Sequence, residues 1–332
     1  MTLTPQEHPF APFIRILGKG KTGTRSLEEN EAHTAFSMIL RGEVEPLQLG
    51  AFLMLLRVKE ETPEELAGFA RACRDIIVPP PSSLRADLDW SSYAGKKHQH
   101  PWYLLSALLL ADGGHRVLMH GSAGHTPERL YSEHALEALG FAPALTWDEA
   151  SRQLDSVGLC FAPLRGFCPA LDALMQLKPL LGLRSPVNTL ARILNPLDAG
   201  ASIQSVFHPA YAALHQAAGD LMGHQQSAAF KGESGEVEVK PQADTQVLWL
   251  REGRKETETI PRAQPSRQDR VPQPSVEPLK ALWRGESNDE YGERSLLATA
   301  TLALRLIRPT LDAASAAKEI AALWANRDRT RL

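Results

Sequence analysis

The sequence predicts an α/β protein, in which a small N-terminal α-helical domain precedes a larger α/β domain with a central, mostly parallel sheet flanked by helices. Three observations predict this fold class. Apolar residues recur at helical spacing between residues 26 and 77. A proline- and serine-rich break follows at 79–83. Beyond the break, short apolar runs alternate with helical segments, which is typical of a parallel sheet with helical crossovers.

Three helices are predicted before the break. Ser26-Leu-Glu-Glu29 has the pattern of a capping box that starts the first helix, and Gly42 ends that helix. Pro46 lies near the start of the second helix. Thr62-Pro-Glu-Glu65 is a second capping box and opens the third helix, whose apolar face runs from Leu66 to Ile77. The short connections predict an antiparallel helical unit.

The α/β part is predicted from the break to the C-terminus. Strands are expected at 117–119, 157–161, 201–207 and 245–250. Helices are expected at 103–111, 128–139, 211–222, 296–307 and 313–324. The stretch from Arg254 to Val276 is polar, contains prolines and has no periodicity, so it is predicted to be a long loop or a poorly ordered excursion.

Composition limits the classes of function. A chain of 332 residues is long enough for two domains, and its net charge of −3 excludes a strongly basic protein. Binding of nucleic acid would therefore need a local basic patch. Cys73, Cys160 and Cys168 have no CxxC spacing, so they are expected to be reduced core residues. Since no signal peptide or membrane span is recognisable, the protein is expected to be cytoplasmic.

Three stretches carry a resemblance to a known family: Arg41 to Phe69, Val117 to Gly140, and Leu181 to Pro196 with Asn188 and Asn195-Pro196. They are similar to anthranilate phosphoribosyltransferase and to the wider nucleoside-phosphorylase class. The resemblance implies a helical dimerisation domain, 1–78, rejoined by roughly 162–181, and an α/β domain made of 84–161 and 182–332. It also implies a homodimer formed through the helical part.

The substrate motifs depart from those of the enzymes. In place of a Gly-Thr-Gly-Gly-Asp loop that wraps diphosphate, the chain has Ser92-Tyr-Ala-Gly-Lys-Lys97. In place of Lys-His-Gly-Asn it has Met119-His-Gly-Ser122. Of the magnesium-binding Asp-Glu pair only Glu238 aligns, preceded by Val237, and the arginine that grips anthranilate aligns with Lys178. Ordinary anthranilate transfer is therefore not expected, and magnesium is expected only if phosphoribosyl diphosphate (PRPP) is bound.

A second, non-tryptophan branch of this family has the motif found here as Tyr93-Ala-Gly-Lys96 and Pro101-Trp-Tyr103. Its members are dimeric and are associated with binding DNA or RNA without strong sequence preference. The resemblance implies that a degenerate substrate cleft has become a basic groove that contacts phosphates. The residues expected to line it are Tyr93, Gly95, Lys96, Lys97, His120, Gly121, Ser122, Lys178, Arg184 and Arg192.

Ordinary structural roles compete with these assignments. Lys96-Lys97-His98 has the composition of a solvated basic loop, and Trp102 is expected to pack in the core more often than to stack on bases. His120 has the alternative role of a structural hydrogen-bonding residue. His98 and His100 have no third ligand at a suitable spacing, so they do not predict a metal site.

Two other functions stay open at this point. One is a phosphoribosyltransferase with an unknown acceptor, which would use PRPP through Gly95, His120, Gly121 and Glu238. The other is a regulatory dimer that binds a small phosphorylated metabolite. The sequence distinguishes neither DNA from RNA nor an active from an inactive transferase.

Overall fold

A computed structural model describes residues 6–20, 22–264 and 266–332. It confirms the predicted fold class, with a helical N-terminal part and a larger part built on a seven-stranded sheet. Residues 1–5 lie outside the described residues. The expectation that the N-terminus has no signal peptide concerns this stretch. None of the helices in the described ranges is long and apolar enough to cross a membrane.

The N-terminal part contains the three predicted helices and one that the sequence did not indicate. They are α1 (Ala11–Gly18), α2 (Glu29–Leu40), α3 (Pro46–Lys59) and α4 (Pro63–Ile76). The capping box at Thr62 is confirmed. The one predicted at Ser26 is wrong, because Glu28 and Glu31 form the box of α2 two residues later. The Ser26 hydroxyl instead accepts a hydrogen bond from Lys59 Nζ at 3.0 Å.

The sheet has the strand order β3-β2-β1-β4-β5-β6-β7. The first five strands of this order run parallel, and the last two add antiparallel pairings. The strands are β1 (Leu88–Ser92), β2 (Val117–Gly121), β3 (Leu159–Pro163), β4 (Ala201–Val206), β5 (Gln226–Lys231), β6 (Thr245–Arg251) and β7 (Arg254–Ile260). From β1 the chain continues through β2 to β3 at one edge of the sheet, and from β4 it continues through β5 and β6 to β7 at the other edge. The order of strands therefore reverses between β1 and β4. In open α/β sheets, ligands bind at the carboxyl ends of the strands beside such a reversal.

Eleven further α-helices are described in the α/β part and its connection to the N-terminal helices. They are α5 (Tyr103–Asp112), α6 (Ser132–Ala138), α7 (Trp147–Ser156), α8 (Leu164–Phe167), α9 (Pro169–Met175), α10 (Lys178–Leu181), α11 (Val187–Leu190), α12 (Ala210–Leu221), α13 (Glu277–Arg284), α14 (Glu290–Ile307) and α15 (Ala313–Asn326). One face of the sheet buries Trp90 and Trp249 against α5 and α14. Apolar residues recur at helical spacing in α12, α14 and α15, and α5 is an almost continuous apolar run, which explains why those four were predicted.

A second core joins the helical part to the opposite face of the sheet. It contains Phe36 and Phe69 of α2 and α4 together with Leu164 and Leu171, which belong to the segment predicted to rejoin the helical domain. This packing agrees with the proposed domain limits, which stay a prediction. Cys73, Cys160 and Cys168 are buried and form no disulfide, as expected from their spacing.

The prediction of a loop from Arg254 onward is wrong for its first seven residues. Arg254–Ile260 forms β7 and pairs with β6 along its length. Glu252 and Gly253, with φ of 49° and 77°, form the two-residue turn between the two strands. The side chains of β7 are charged, threonine or a final isoleucine, so apolar alternation does not mark it. At 261–264 and 266–276 no helix or strand forms, as predicted.

Candidate functional site

The candidate site lies at the carboxyl ends of the parallel strands, beside the reversal between β1 and β4. The loop after β1 meets the loop after β2 there, since Lys96 and Leu130 exchange backbone hydrogen bonds at 2.8 and 2.9 Å. The connection after β5, residues 232–239, closes the same space and is called the acidic segment below. It contributes Glu233, Glu236 and Glu238.

The loop after β1 forms a cradle for an anion. The backbone N–H groups of Ala94 and Gly95 and the hydroxyl group of Ser92 point to one place, and the three donors are called the amide nest below. Gly95 has a φ of 67°, which places successive amides on one side of the loop. The nest holds the buried carboxylate of Glu236: its Oε1 accepts from both amides at 2.6 Å, and its Oε2 accepts from Ser92 Oγ at 2.7 Å.

Lys96 does not lie on the surface of the cleft, which corrects its expected role as a phosphate contact. Its side chain is completely buried and its Nζ lies 2.6 Å from Glu238 Oε1. The other oxygen of Glu238 accepts a hydrogen bond from the backbone N–H of Tyr103, at the start of α5, at 2.9 Å. Burial raises the pKa of Glu238 to about 7, although the charge of Lys96 and its hydrogen bond act in the opposite direction. The pair therefore neutralises itself inside the protein.

The expected magnesium ligand is therefore not available to a metal ion. Both carboxylate oxygens of Glu238 already have donors, one of them a cation, and Val237 offers no ligand. Within the described ranges, no group of three His, Cys, Asp or Glu side chains is arranged to hold a metal. The residues present do not fit a magnesium ion bound to diphosphate, which needs free hard oxygen ligands.

Tyr93 and His120 belong to the interior and do not line an open groove. The Tyr93 hydroxyl group lies 2.7 Å from His120 Nδ1, and His120 Nε2 lies 3.1 Å from Asp89 Oδ1. All three side chains are buried. Burial also raises the pKa of Tyr93 well above its ordinary value. Tyr93 therefore cannot stack on a base. His120 has the alternative role given above, that of a structural hydrogen-bonding residue. The packing role of Trp102 is confirmed by its complete burial.

Gly121 and Ser122 are also explained by packing and internal bonds. A Cβ atom on Gly121 would lie 2.1 Å from the backbone oxygen of Ser92, so β1 and β2 approach closely where they end. The Ser122 hydroxyl group donates to Asp172 Oδ1 at 2.6 Å and is buried. Neither residue presents a free group to a phosphate in this structure.

Arg192 is a support of the acidic segment, which corrects its expected role as a phosphate contact. Its Nη1 donates to the backbone oxygens of Ser205 and Gly235, each at 2.9 Å, and the side chain is buried. Burial lowers the pKa of Arg192, whereas the nearby charge of Glu236 raises it. The guanidinium group therefore fixes the backbone next to Glu236 and balances its charge.

Three cations remain partly exposed at the rim of the site: Arg129, Lys178 and Arg184, called the cation cluster below. Lys178 Nζ and Arg184 Nη2 both donate to Thr126 Oγ1, at 3.1 and 3.3 Å. Within the described part of the chain, none of the three forms a salt bridge, unlike Lys97, whose Nζ lies 3.0 Å from Glu128 Oε2. Desolvation and the mutual repulsion of the cations lower the pKa of Lys178 and of Arg184.

Sequence reasoning identified Lys178 and Arg184 but not Arg129 or Phe207. Arg129 donates to the backbone oxygens of Ala94 and Gly95 at 3.0 and 2.9 Å, which ties the cation cluster to the amide nest. Phe207 follows β4 and is 52% exposed. It lines a cavity of about 140 Å³ together with Arg57, Arg184 and Tyr211. No motif marks these two residues, although Phe207 directly follows β4 and Arg129 lies in the loop after β2, and ligand contacts are common in such loops.

Comparison with known proteins gives matches along most of the chain. Residues 11–76 match the helical bundle domain of a glycosyl transferase family, and residues 103–325 match the a/b domain of such a family. The uncharacterized protein YbiB of Escherichia coli strain K12 is 31% identical over 250 residues, which are 74% of this chain and 77% of that protein. Anthranilate phosphoribosyltransferase of Symbiobacterium thermophilum is 31% identical over 247 residues, which are 73% and 70% of the two chains.

Solved structures show the same fold. Anthranilate phosphoribosyltransferase from Thermus thermophilus superposes with a TM-score of 0.77 at 24% identity, covering 94% of each chain. The enzyme from Saccharomyces cerevisiae in complex with PRPP and Mg gives a TM-score of 0.75 at 18% identity, covering 97% of this chain and 96% of that one.

Proposed function

We propose that this chain, which belongs to the anthranilate phosphoribosyltransferase-like glycosyl transferases, binds nucleic acid without strong sequence preference. In this proposal it retains the scaffold of that family but does not transfer phosphoribosyl groups. The observation that carries the proposal is the cation cluster. Three cations lie together at the ligand-binding edge of the sheet and form no salt bridge within the described residues, while the groups suited to diphosphate and magnesium are bound internally.

The electrostatics of the cation cluster favour an anionic ligand. Like charges held close together repel, and this repulsion contributes to the lowered pKa of Lys178 and Arg184. A bound phosphate would relieve the repulsion and would release counterions from the nucleic acid. The formal net charge of −3 confines this attraction to the local surface.

The surroundings of the cluster favour a single strand over a duplex. Phe207 is half exposed in the cavity that Arg184 also lines, and Tyr211 lies in the same wall. An exposed aromatic ring beside a phosphate contact can stack on an unpaired base, which a duplex does not offer. We therefore expect single-stranded oligonucleotides to bind more tightly than duplexes of the same length.

The test is fluorescence anisotropy of a labelled single-stranded oligonucleotide at several salt concentrations. Replacing Arg129, Lys178 and Arg184 together by glutamine should weaken binding at least tenfold at low salt. Each lost phosphate contact should reduce the slope of log K against log salt by about 0.7, so the triple variant should lose about 2 from the slope. The matched control replaces Lys255, Lys280 and Arg308, which are paired with acids on other surfaces, by glutamine. Equal affinities of the two triple variants for the oligonucleotide would show that the cation cluster does not contact nucleic acid.

A second function, PRPP-dependent transfer to an unknown acceptor, is favoured by the identity of 31% to a named anthranilate phosphoribosyltransferase. The same experiment distinguishes it. PRPP with magnesium should neither raise the unfolding temperature nor displace the oligonucleotide if the proposed function is correct. A magnesium-dependent rise in that temperature, together with absence of oligonucleotide binding at low salt, would establish the transferase as the better explanation.

We further propose that a second copy of this chain packs on α3. Leu47 and Val58 are 88% and 85% exposed, and Ala51 and Met54 lie between them on the same face at helical spacing. An exposed apolar stripe of this kind is typical of an interface.

Light scattering should give the mass of a dimer, and Leu47→Lys with Val58→Lys should give a monomer. Leu145→Lys, at an exposed leucine elsewhere, is the control. A monomeric unmodified chain at micromolar concentration would refute this interface.

A further inference from the structure

We propose that Glu236 is a specificity-determining residue, an internal anion that fills the amide nest and prevents a diphosphate from binding there. The nest has the properties of an anion site: two consecutive backbone N–H groups and one hydroxyl group converge on a single place. Such a concave set of amides binds phosphate or carboxylate oxygens. In this protein the anion is supplied by the chain itself.

The position of the nest decides what it would otherwise bind. It follows β1 at the carboxyl edge of the sheet, beside the reversal of strand order, where phosphate-bearing ligands bind in α/β proteins. Each backbone amide has one hydrogen to donate, and both amides donate to the same carboxylate oxygen at 2.6 Å. A diphosphate would need these same donors, so it can enter only if Glu236 leaves.

Glu236 is held in the nest by its own backbone. Arg192 donates to the oxygen of Gly235, and Ser205 Oγ accepts a hydrogen bond from the backbone N–H of Gly232 at 3.0 Å. A Cβ atom on Gly232 would lie 1.8 Å from the backbone oxygen of Glu236, so the acidic segment folds back tightly on itself. The carboxylate is buried with Arg192 nearby to balance its charge. These contacts tie the backbone that precedes Glu236 to the rest of the site.

The test measures binding of inorganic pyrophosphate, without magnesium, by calorimetry to the unmodified chain and to three variants. Glu236→Ala opens the nest and should bind pyrophosphate at least tenfold more tightly than the unmodified chain. Glu236→Gln keeps an oxygen that accepts from both amides, so it should bind no better than the unmodified chain. Glu233→Ala removes the same charge from the same segment but leaves the nest filled, so it should also show no gain. A gain in all three variants would show a general charge effect and would overturn the proposal.

A second measurement does not depend on the folding of Glu236→Ala. Backbone amide resonances of Ala94 and Gly95 in the unmodified chain should not move when pyrophosphate is added. Movement of both at micromolar pyrophosphate would show that the ligand enters the nest despite Glu236, which would refute the proposal. The two proposals can fail separately. If oligonucleotides do not bind, the proposal that Glu236 fills the amide nest is unaffected. If pyrophosphate enters the nest, that proposal is refuted, but the evidence that the cation cluster binds nucleic acid is unaffected.

Discussion

Replacing Lys96 by methionine should lower the free energy of unfolding by about 3–5 kcal/mol, the usual loss when one partner of a buried ion pair is removed. Lys96 and Glu238 are both fully buried and 2.6 Å apart. Without the ammonium group, the Glu238 carboxylate either stays charged in an apolar environment or takes up a proton. Urea unfolding at neutral pH, followed by circular dichroism, measures the loss.

The double variant Lys96→Met with Glu238→Gln should recover most of that loss. Glutamine keeps an oxygen that can accept from the backbone N–H of Tyr103, while the buried charge disappears. Lys97→Met is the matched control, because this neighbouring lysine is 43% exposed and pairs with Glu128 at the surface. We expect a change within about 0.5 kcal/mol for the control. If Lys96→Met were as mild as Lys97→Met, the buried pair would not exist in solution.

Gly121→Ala should destabilise the protein by about 1–3 kcal/mol, the common cost of forcing an extra group into a packed region. The new Cβ atom would lie 2.1 Å from the backbone oxygen of Ser92, so β1 and β2 would have to separate beside the amide nest. Thermal unfolding followed by calorimetry measures the effect. We also expect weaker oligonucleotide binding, because the loop after β1 supports Arg129 through two backbone oxygens.

Gly200→Ala is the control for this substitution. Gly200 lies in the loop before β4, where its φ is not positive and a Cβ atom would contact nothing within 4 Å. The added methyl group meets no neighbour, so this variant should change the free energy of unfolding by less than about 0.5 kcal/mol. A Gly121→Ala protein as stable as the unmodified chain would show that the two strands are farther apart than described.

Much of the fold was predictable because local patterns carry it. Capping at Thr62, the apolar run of α5, the apolar periodicity of α14 and the short apolar run of β2 all follow from neighbouring residues. β7 could not be found in this way, because its side chains lack apolar alternation and its place depends on pairing with β6. Its clearest local signal is the Glu252-Gly253 turn between two extended segments.

The candidate site was less predictable, because its charges are distributed by long-range contacts. Lys96 is 142 residues from Glu238 in sequence, and a lysine beside a glycine has the same local pattern whether it is buried or exposed. Arg192 gives a similar case, since the backbone oxygens it binds belong to Ser205 and Gly235. The resemblance pointed to the loop after β1 and to Lys178, and helical spacing beside the predicted cleft pointed to Arg184. It did not show that the acidic segment turns inward.

The strand β7 has a consequence for how molecules of this protein meet. It is the last strand of the sheet, so one side of its backbone has no partner strand among the described residues, and such an edge can recruit a strand from another molecule. Here the approach would bring together rows of charged side chains, because β7 presents Arg254, Lys255, Glu256 and Glu258 within five positions. Two copies placed edge to edge would have to strip water from these charges. The charges of β7 thereby protect the sheet against continuing from one molecule into the next.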